Sequence, residues 1–313
     1  MRESNIVTGA FGNIGKYITE RLLQDGKEVR TLTRSQAWRH DVETLPFNFD
    51  NPSQLVESLR GATTLYNTYW VRFPHGEISH EKAVENSLVL IKAAEQAGVR
   101  RIVHSSITNP SEESALSYFR GKALVEKAIM QSRLSYAIVR PTVVFGPRSI
   151  LFNNIAWLLR KFPIFAIPGA GDYQIQPVFV EDVAQIAVDA GQKVTNIVTD
   201  AVGPETFTYN QLVRLISRRI HSRAKIVHVR PNLALSLANL VGYLVRDVVI
   251  TKEEIEGLMA NLLVSRGSPT GRMLFSNWLE ENGDNLGRRY LSELAISYQR
   301  EGWPSRRSRR VSP

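Results

Sequence analysis

The segment Thr8-Gly9-Ala10-Phe11-Gly12-Asn13-Ile14-Gly15 constrains the fold of this chain more than any other stretch. It follows a short apolar run, Asn5–Thr8, and opens a run with helical periodicity, Ile14–Gln24, whose apolar positions are Ile14, Ile18, Leu22 and Leu23. At this spacing Gly9 permits a tight strand-to-helix turn. Gly12 lets the backbone approach a pyrophosphate, and Gly15 lets the helix pack close to the strand. The helix then offers free N–H groups and the positive end of its dipole to phosphates. Three glycines alone make only a turn; the strand before and the helix after make this a dinucleotide-binding loop. Gly9, Phe11, Gly12, Asn13, Ile14 and Gly15 are the cofactor-binding candidates here.

The next hundred residues repeat the strand–helix alternation. Strand signals occur at Glu28–Thr33, near Leu45–Phe49, at Thr63–Asn67, Arg101–His104 and Tyr136–Val144. Helical signals occur at Pro52–Leu59, Glu81–Ala97 and Tyr118–Gln131. Strands joined by helices form βαβ units, and right-handed crossovers build them into a doubly wound parallel sheet. This predicts an α/β Rossmann fold over residues 1–150, with 178–202 returning to it. A smaller, mainly helical substrate lobe is expected over 151–305 and a basic tail over 306–313. Ligands in such sheets bind at the carboxyl ends of the strands, which makes Asn67, ending the fourth strand, a further cofactor candidate.

Cofactor choice turns on the end of the second strand. An acid there accepts from the adenosine ribose and selects NAD. The chain reads Arg30-Thr31-Leu32-Thr33-Arg34-Ser35, with no acid before Asp41. Arg34 suits a 2′-phosphate, so NADP(H) is preferred and NAD(H) is the alternative. Asp50 can accept from the adenine amino group or cap the helix beginning at Pro52.

A second constellation follows the fifth strand: Ser105-Ser106, then Tyr118 and Lys122 four residues apart on one helical face. An ammonium beside a phenol lowers the phenol pKa toward neutrality. Tyr118 is then able to exchange a proton with a carbonyl or alcohol, with Ser105 or Ser106 orienting the oxygen.

With these residues in view, the chain resembles a short-chain dehydrogenase/reductase of the extended or atypical branch, similar to NAD-dependent epimerases and dehydratases. The resemblance rests on TGAFGNIG at 8–15, HSSI at 104–107, YFRGK at 118–122, VRPTVVFGP at 139–147 and VFVEDVA at 178–184. It implies Tyr118 as catalytic acid/base and Lys122 as its pKa partner and ribose ligand. Arg140, Pro141 and Thr142 are placed beside the nicotinamide, Asn86 near the site, and Asp182 in a structural role. Three features depart from the family pattern: Gly121 precedes the lysine, the run of 12 residues from Ser106 to Tyr118 is short, and the fourth strand reads LYNTYW. The last two resemble atypical members such as NmrA-like redox sensors and the nucleotide-binding accessory subunit of respiratory complex I. The expected activity is an NADP(H)-dependent oxidoreductase acting on a carbonyl or alcohol of a small molecule. The alternatives are a catalytically silent NADPH-binding sensor or assembly protein, and a nucleotide-sugar epimerase or dehydratase.

Composition narrows the rest. There is no cysteine, which excludes thiol catalysis, iron–sulfur clusters and disulfide scaffolds. His75 and His80, with Glu77 and Glu81, fit no common zinc spacing, so no metal is expected. The formal net charge of +9 includes the cluster Arg306, Arg307, Arg309 and Arg310. No nucleic-acid motif accompanies it, so no nucleic-acid partner is expected and the tail reads as a solvated, disordered end. Leu233–Ile250 is apolar, but Asn239, Arg246 and Asp247 argue against a membrane span. It reads as a buried or amphipathic helix, with peripheral membrane contact left open. Met1–Thr8 runs directly into strand-like sequence, and the expected compartment is the cytoplasm. Helix pairing through 81–97 and 118–131 is compatible with a homodimer, and a monomer is equally allowed. Tyr66, Tyr69, Trp70 and Phe73 either line a substrate pocket or pack between lobes. The segment Trp278–Tyr290 reads as a helix–turn–helix connection closed by Gly283 and Gly287.

Overall fold

Strand and helix alternate from the first described residue. The structure is a computed structural model that describes residues 4–33 and 41–298. In chain order the elements are β1 (Ser4–Thr8), α1 (Asn13–Gln24), β2 (Glu28–Thr33), β3 (Glu43–Pro46), α2 (Pro52–Leu59), β4 (Thr64–Asn67), α3 (His80–Gln96), β5 (Arg101–Ser105), α4 (Ser117–Gln131), β6 (Ser135–Pro141) and β7 (Val143–Phe145). They continue as α5 (Ile150–Lys161), β8 (Ile164–Pro168), β9 (Gln174–Ile175), β10 (Pro177–Phe179), α6 (Val180–Gln192), β11 (Ile197–Ala201), β12 (Phe207–Thr208), α7 (Tyr209–Arg219), β13 (Lys225–Val229), α8 (Pro231–Val245), α9 (Lys252–Met259) and α10 (Phe275–Asn282).

Seven strands pair in the order β3-β2-β1-β4-β5-β6-β11, all parallel. β11 joins late, pairing Ile197 with Ala137 and Ala201 with Pro141. β1 is buried at every position, as a central strand covered on both faces must be. On one face Ile18, Leu22, Val183, Ala187 and Val188 of α1 and α6 cover Val7, Val103 and Val139. On the other, Leu55, Leu90, Ala94, Val125 and Ile129 of α2, α3 and α4 cover Ile6, Leu32, Leu65, Ile102 and Ile138. The order in which strands are added to the sheet reverses between β1 and β4, which opens the ligand crevice of such sheets at their carboxyl ends.

The second lobe has its own core around Phe145, Phe152, Phe275 and Trp278. Asp182 binds it to the sheet domain, its carboxylate accepting from the Arg272 and Met273 N–H groups at 2.8 and 3.0 Å.

Several local expectations are corrected. β3 begins two residues earlier than the apolar run at Leu45, because its pairing with β2 starts at Glu43 opposite Arg30. The long sixth strand divides at Thr142, where β7 leaves the main sheet to pair with β10. β8 shows no alternating pattern in sequence; it is stabilised by parallel pairing with the distant β13. The segment after α10 is a set of turns, with the chain passing tightly at Gly287, rather than a second helix. The helix expected within Leu233–Ile250 stops at Val245 and buries only Ala234 and Gly242, so the buried reading fails. The basic tail lies outside the described residues.

Candidate functional site

The glycine loop is built as its spacing implies. Gly9 has φ +66°, and its carbonyl accepts from the Gly12 N–H at 2.8 Å. A Cβ on Gly15 would lie 2.2 Å from the Gly9 carbonyl oxygen, so only glycine lets α1 approach the turn. Gly12 caps α1 with no side-chain hydrogen bond, and no acid occupies the first turn. Gly9, Gly12 and Asn13 are exposed. A helix N-terminus with no side-chain cap, the positive end of its dipole, beside the glycines at 9, 12 and 15 fits a dinucleotide pyrophosphate. Thr8 and Thr68 lock the cradle to β4: Thr8 Oγ1 accepts from the Thr68 N–H at 2.8 Å, and Thr68 Oγ1 donates to the Thr8 carbonyl at 2.5 Å.

Around this loop the other cofactor candidates separate. Arg34 lies outside the described residues. Arg30 is occupied away from any ligand, donating to Ser4 Oγ at 3.2 Å and to the Arg60 carbonyl at 3.0 Å. Asp50 is exposed and free of capping duty, because Asn51 caps α2 through the Gln54 N–H. Asn67 is fully buried; its Oδ1 accepts from Thr8 Oγ1 and the Tyr69 N–H, and its amide donates to His104 Nδ1 at 3.1 Å. It shapes the end of β4 from within. Asn86 donates to the Tyr69 hydroxyl at 2.9 Å, beside the Phe47–Phe49–Tyr69 ring cluster. The Arg140 guanidinium turns to the carboxylate of Glu126, a buried residue of α4. Thr142 is buried and donates to the Ala201 carbonyl through its N–H, which leaves Pro141 and Thr142 as the seam between β6 and β11.

The Tyr118–Lys122 pair is not assembled as expected. Both residues stand on α4, but Lys122 Nζ donates to the Ser105 carbonyl at 2.8 Å and lies 4.6 Å from the Trp70 ring centroid. No hydrogen bond joins Tyr118 and Lys122 among the described residues. The Trp70 indole is wedged between them: edge-on to Tyr118 at 5.8 Å and stacked on His80 at 6.1 Å. A Cβ on Gly121 would meet Trp70 Cη2 at 2.9 Å. Trp70 Nε1 and Ser106 Oγ are buried without a hydrogen-bond partner among the described residues.

The electrostatics follow from this packing. Burial lowers the Lys122 pKa from 10.5 to about 7, against the opposing pull of Glu126. Burial raises the Tyr118 pKa above 10, and the carboxylates of Glu254 and Glu293 add to the rise against Arg72. This is opposite to the lowering expected from an adjacent ammonium, because Lys122 is turned away. Burial, then the nearby Lys122 charge, hold His104 well below its ordinary range. With Nδ1 accepting from Asn67, the unpartnered Nε2 carries the proton.

A family profile described as the NmrA-like family matches residues 2–268. The chain belongs to the NmrA-like family. Its curated relatives include the mitochondrial NADH-ubiquinone oxidoreductase 40 kDa subunit of Neurospora crassa, 24% identical over 262 residues that cover 80% of this chain and 69% of the relative. Among solved structures, a nucleoside-diphosphate-sugar epimerase from Staphylococcus aureus superposes with a TM-score of 0.72 at 16% identity, covering 90% of this chain and 100% of its own. The Citrobacter sp. triphenylmethane reductase complexed with NADP(H) superposes with a TM-score of 0.69 at 16% identity, covering 89% and 99%. These likenesses show that this NmrA-like chain shares the Rossmann-type fold of those proteins.

Sequence reasoning missed the groups that surround Tyr118 in this NmrA-like protein. Arg72 donates to Glu254 at 2.7 Å and to Glu293 at 3.2 Å, joining the segment after β4 to the second lobe. Burial works against its charge, but the two carboxylates hold its pKa above the ordinary value. His80, weighed in sequence only as a metal ligand, opens α3 with Nδ1 2.6 Å from Ser117 Oγ, which lies 2.9 Å from both Glu253 carboxylate oxygens. No local motif announces these contacts, since each spans more than 30 residues of chain.

Proposed function

We propose that this chain binds a nicotinamide dinucleotide, NADP(H) in preference to NAD(H), and holds it as a sensing or stabilising group within a larger assembly rather than turning it over. The observation that supports this reading is Trp70, whose indole lies edge-on to Tyr118 at 5.8 Å and 4.6 Å from Lys122 Nζ, where it would crowd a carbonyl substrate. The backbone at Gly9, Gly12, Asn13 and Gly15 receives the pyrophosphate, and Phe11 and Ile14 flank it. Preference for the 2′-phosphate rests on the missing acid after β2 and on Arg34. A bound NADP(H) supplies a hydride donor or acceptor at its nicotinamide. Lys122, held by Ser105 and Trp70, would orient a ribose rather than polarise Tyr118. The similarity to a subunit of an NADH-ubiquinone oxidoreductase supports an accessory role.

A second reading is the carbonyl reductase implied by Tyr118, Lys122 and the two serines. It is favoured by the Lys122 pKa of about 7, which suits proton exchange near neutrality. A fluorescence titration of NADPH against NADH, followed by a carbonyl-substrate screen at the nicotinamide absorbance, separates the two. We expect tighter binding of NADPH by about tenfold, or about 1.4 kcal/mol, and no turnover. Turnover by the wild-type chain that Tyr118→Phe abolishes overturns the proposal in favour of the reductase.

A further inference from the structure

α8 is unlike every other long helix of the molecule. Its exposed face carries Leu233, Leu237, Leu240, Tyr243 and Leu244, which are 41% to 83% solvent-accessible. The four leucines recur at i, i+4, i+7 and i+11 and so form one stripe along the helix. The inner face is made close-fitting by small residues: Ala234 is buried, and a Cβ on Gly242 would lie 2.6 Å from the Asp247 carbonyl oxygen. Pro231–Val245 contains no charged residue, and arginines stand at both ends, Arg230 as N-cap and Arg246 as C-cap. Arg246 adopts φ +55°, ψ +45°, which ends the helix sharply.

We infer that α8 is a docking element for an anionic lipid surface, lying in the plane of the headgroups with its leucine stripe inward. Three observations select this occupant. First, the helix has 15 residues, about 22 Å at 1.5 Å per residue, which is too short to span a bilayer but suits an interfacial helix buried 5–10 Å deep. Second, both ends are cationic, so a second copy meets like charge in parallel and antiparallel pairing alike. The stripe, about 22 Å by 10 Å, is also far below the roughly 800 Å² per partner of a stable protein interface. Third, the chain returns to this point. Asp247 Oδ1 accepts from the Leu294 N–H at 3.2 Å, and Oδ2 accepts from the Glu293 N–H at 2.8 Å and the Tyr290 hydroxyl at 2.9 Å. The cluster Arg306, Arg307, Arg309 and Arg310 follows about a dozen residues later, within about 40 Å of chain reach. Apolar insertion plus basic attraction is the pair of signals that interfacial binding requires. The inference stands on α8 and does not depend on the cofactor reading.

The test is flotation of the full chain with vesicles of phosphatidylcholine alone and of phosphatidylcholine mixed equally with phosphatidylglycerol. The wild-type chain is expected to float with the mixed vesicles and to remain largely free with the neutral ones. The triple variant Leu237→Ser, Leu240→Ser, Leu244→Ser is expected to lose binding by about tenfold or more while keeping its melting temperature and NADPH titration, since these side chains are exposed. A variant lacking residues 306–313 is expected to bind more weakly and with a shallower salt dependence. Unchanged flotation of the triple variant overturns the inference. So does absence of vesicle binding together with a dimer, or a recovered protein complex, that the triple variant dissolves.

Discussion

The glycine loop and the Tyr118 site sit at the same end of the same sheet, yet they are built in opposite ways. The loop does its work with backbone: an exposed turn, an uncapped helix end, and a Gly15 with no room for a Cβ. The Tyr118 site is made of side chains, and its character depends on which side chain arrives from elsewhere. Here Trp70 arrives, and Gly121 is the space that admits it. The loop therefore keeps its meaning from sequence alone, while the same Tyr-Lys spacing takes a different meaning once an indole lies across it.

This contrast yields graded expectations. Gly15→Ala should do the most damage, because its Cβ meets the Gly9 carbonyl at 2.2 Å. Dinucleotide affinity should fall by roughly a hundredfold, about 2.7 kcal/mol, in a fluorescence titration; a fall under threefold breaks the backbone account of the loop. Arg140→Met comes next. It leaves the Glu126 carboxylate buried without its partner, and removal of one member of such a pair costs about 3 kcal/mol. Urea unfolding should register that loss, with the loop's affinity changed far less.

A smaller effect lies in the pH dependence of stability. The folded pKa of Lys122, about 7, is below its ordinary 10.5. Across that window the unfolded chain holds the extra proton, so stability rises with pH, on the order of a few kcal/mol in total, and is lost as pH falls through it. The raised phenols of Tyr118 and Tyr209 reverse the slope above pH 10. Lys122→Met should flatten the rise between about pH 7 and 10 in thermal melts, and an unchanged slope would remove Lys122 as its source. Smallest of all is Tyr118→Phe. The ring keeps its contacts with Trp70, His80 and Phe119, so stability and NADPH affinity should each shift by no more than about 0.5 kcal/mol. A large loss of affinity would place the hydroxyl on the cofactor.

Much of the fold was legible because it is written in local periods. β2 and α2 match their sequence runs residue for residue, and the glycine spacing alone marks the crevice. What was illegible is non-local. β8 exists because β13, about sixty residues later, pairs with it. Asp50 was read as an adenine acceptor or a helix cap, and the cap falls to Asn51 one residue on. Arg140 was placed with the nicotinamide on its motif, yet the nearest uncompensated charge is Glu126, and a buried carboxylate takes the guanidinium first.

By itself the sequence determined the parallel α/β architecture, the dinucleotide loop and the absence of thiol chemistry, because glycine conformational freedom, strand–helix alternation and residue inventory are properties of neighbouring residues. It also displayed both departures at the second site, the tryptophan after β4 and the glycine before Lys122, as separate facts. Only the tertiary structure made them one fact, since 51 positions of chain, from Trp70 to Gly121, close into van der Waals contact. The same holds for α8. Its leucines read equally as a core, and the fold decided otherwise by giving its inner face to Ala234 and Gly242 and leaving the leucine stripe to solvent.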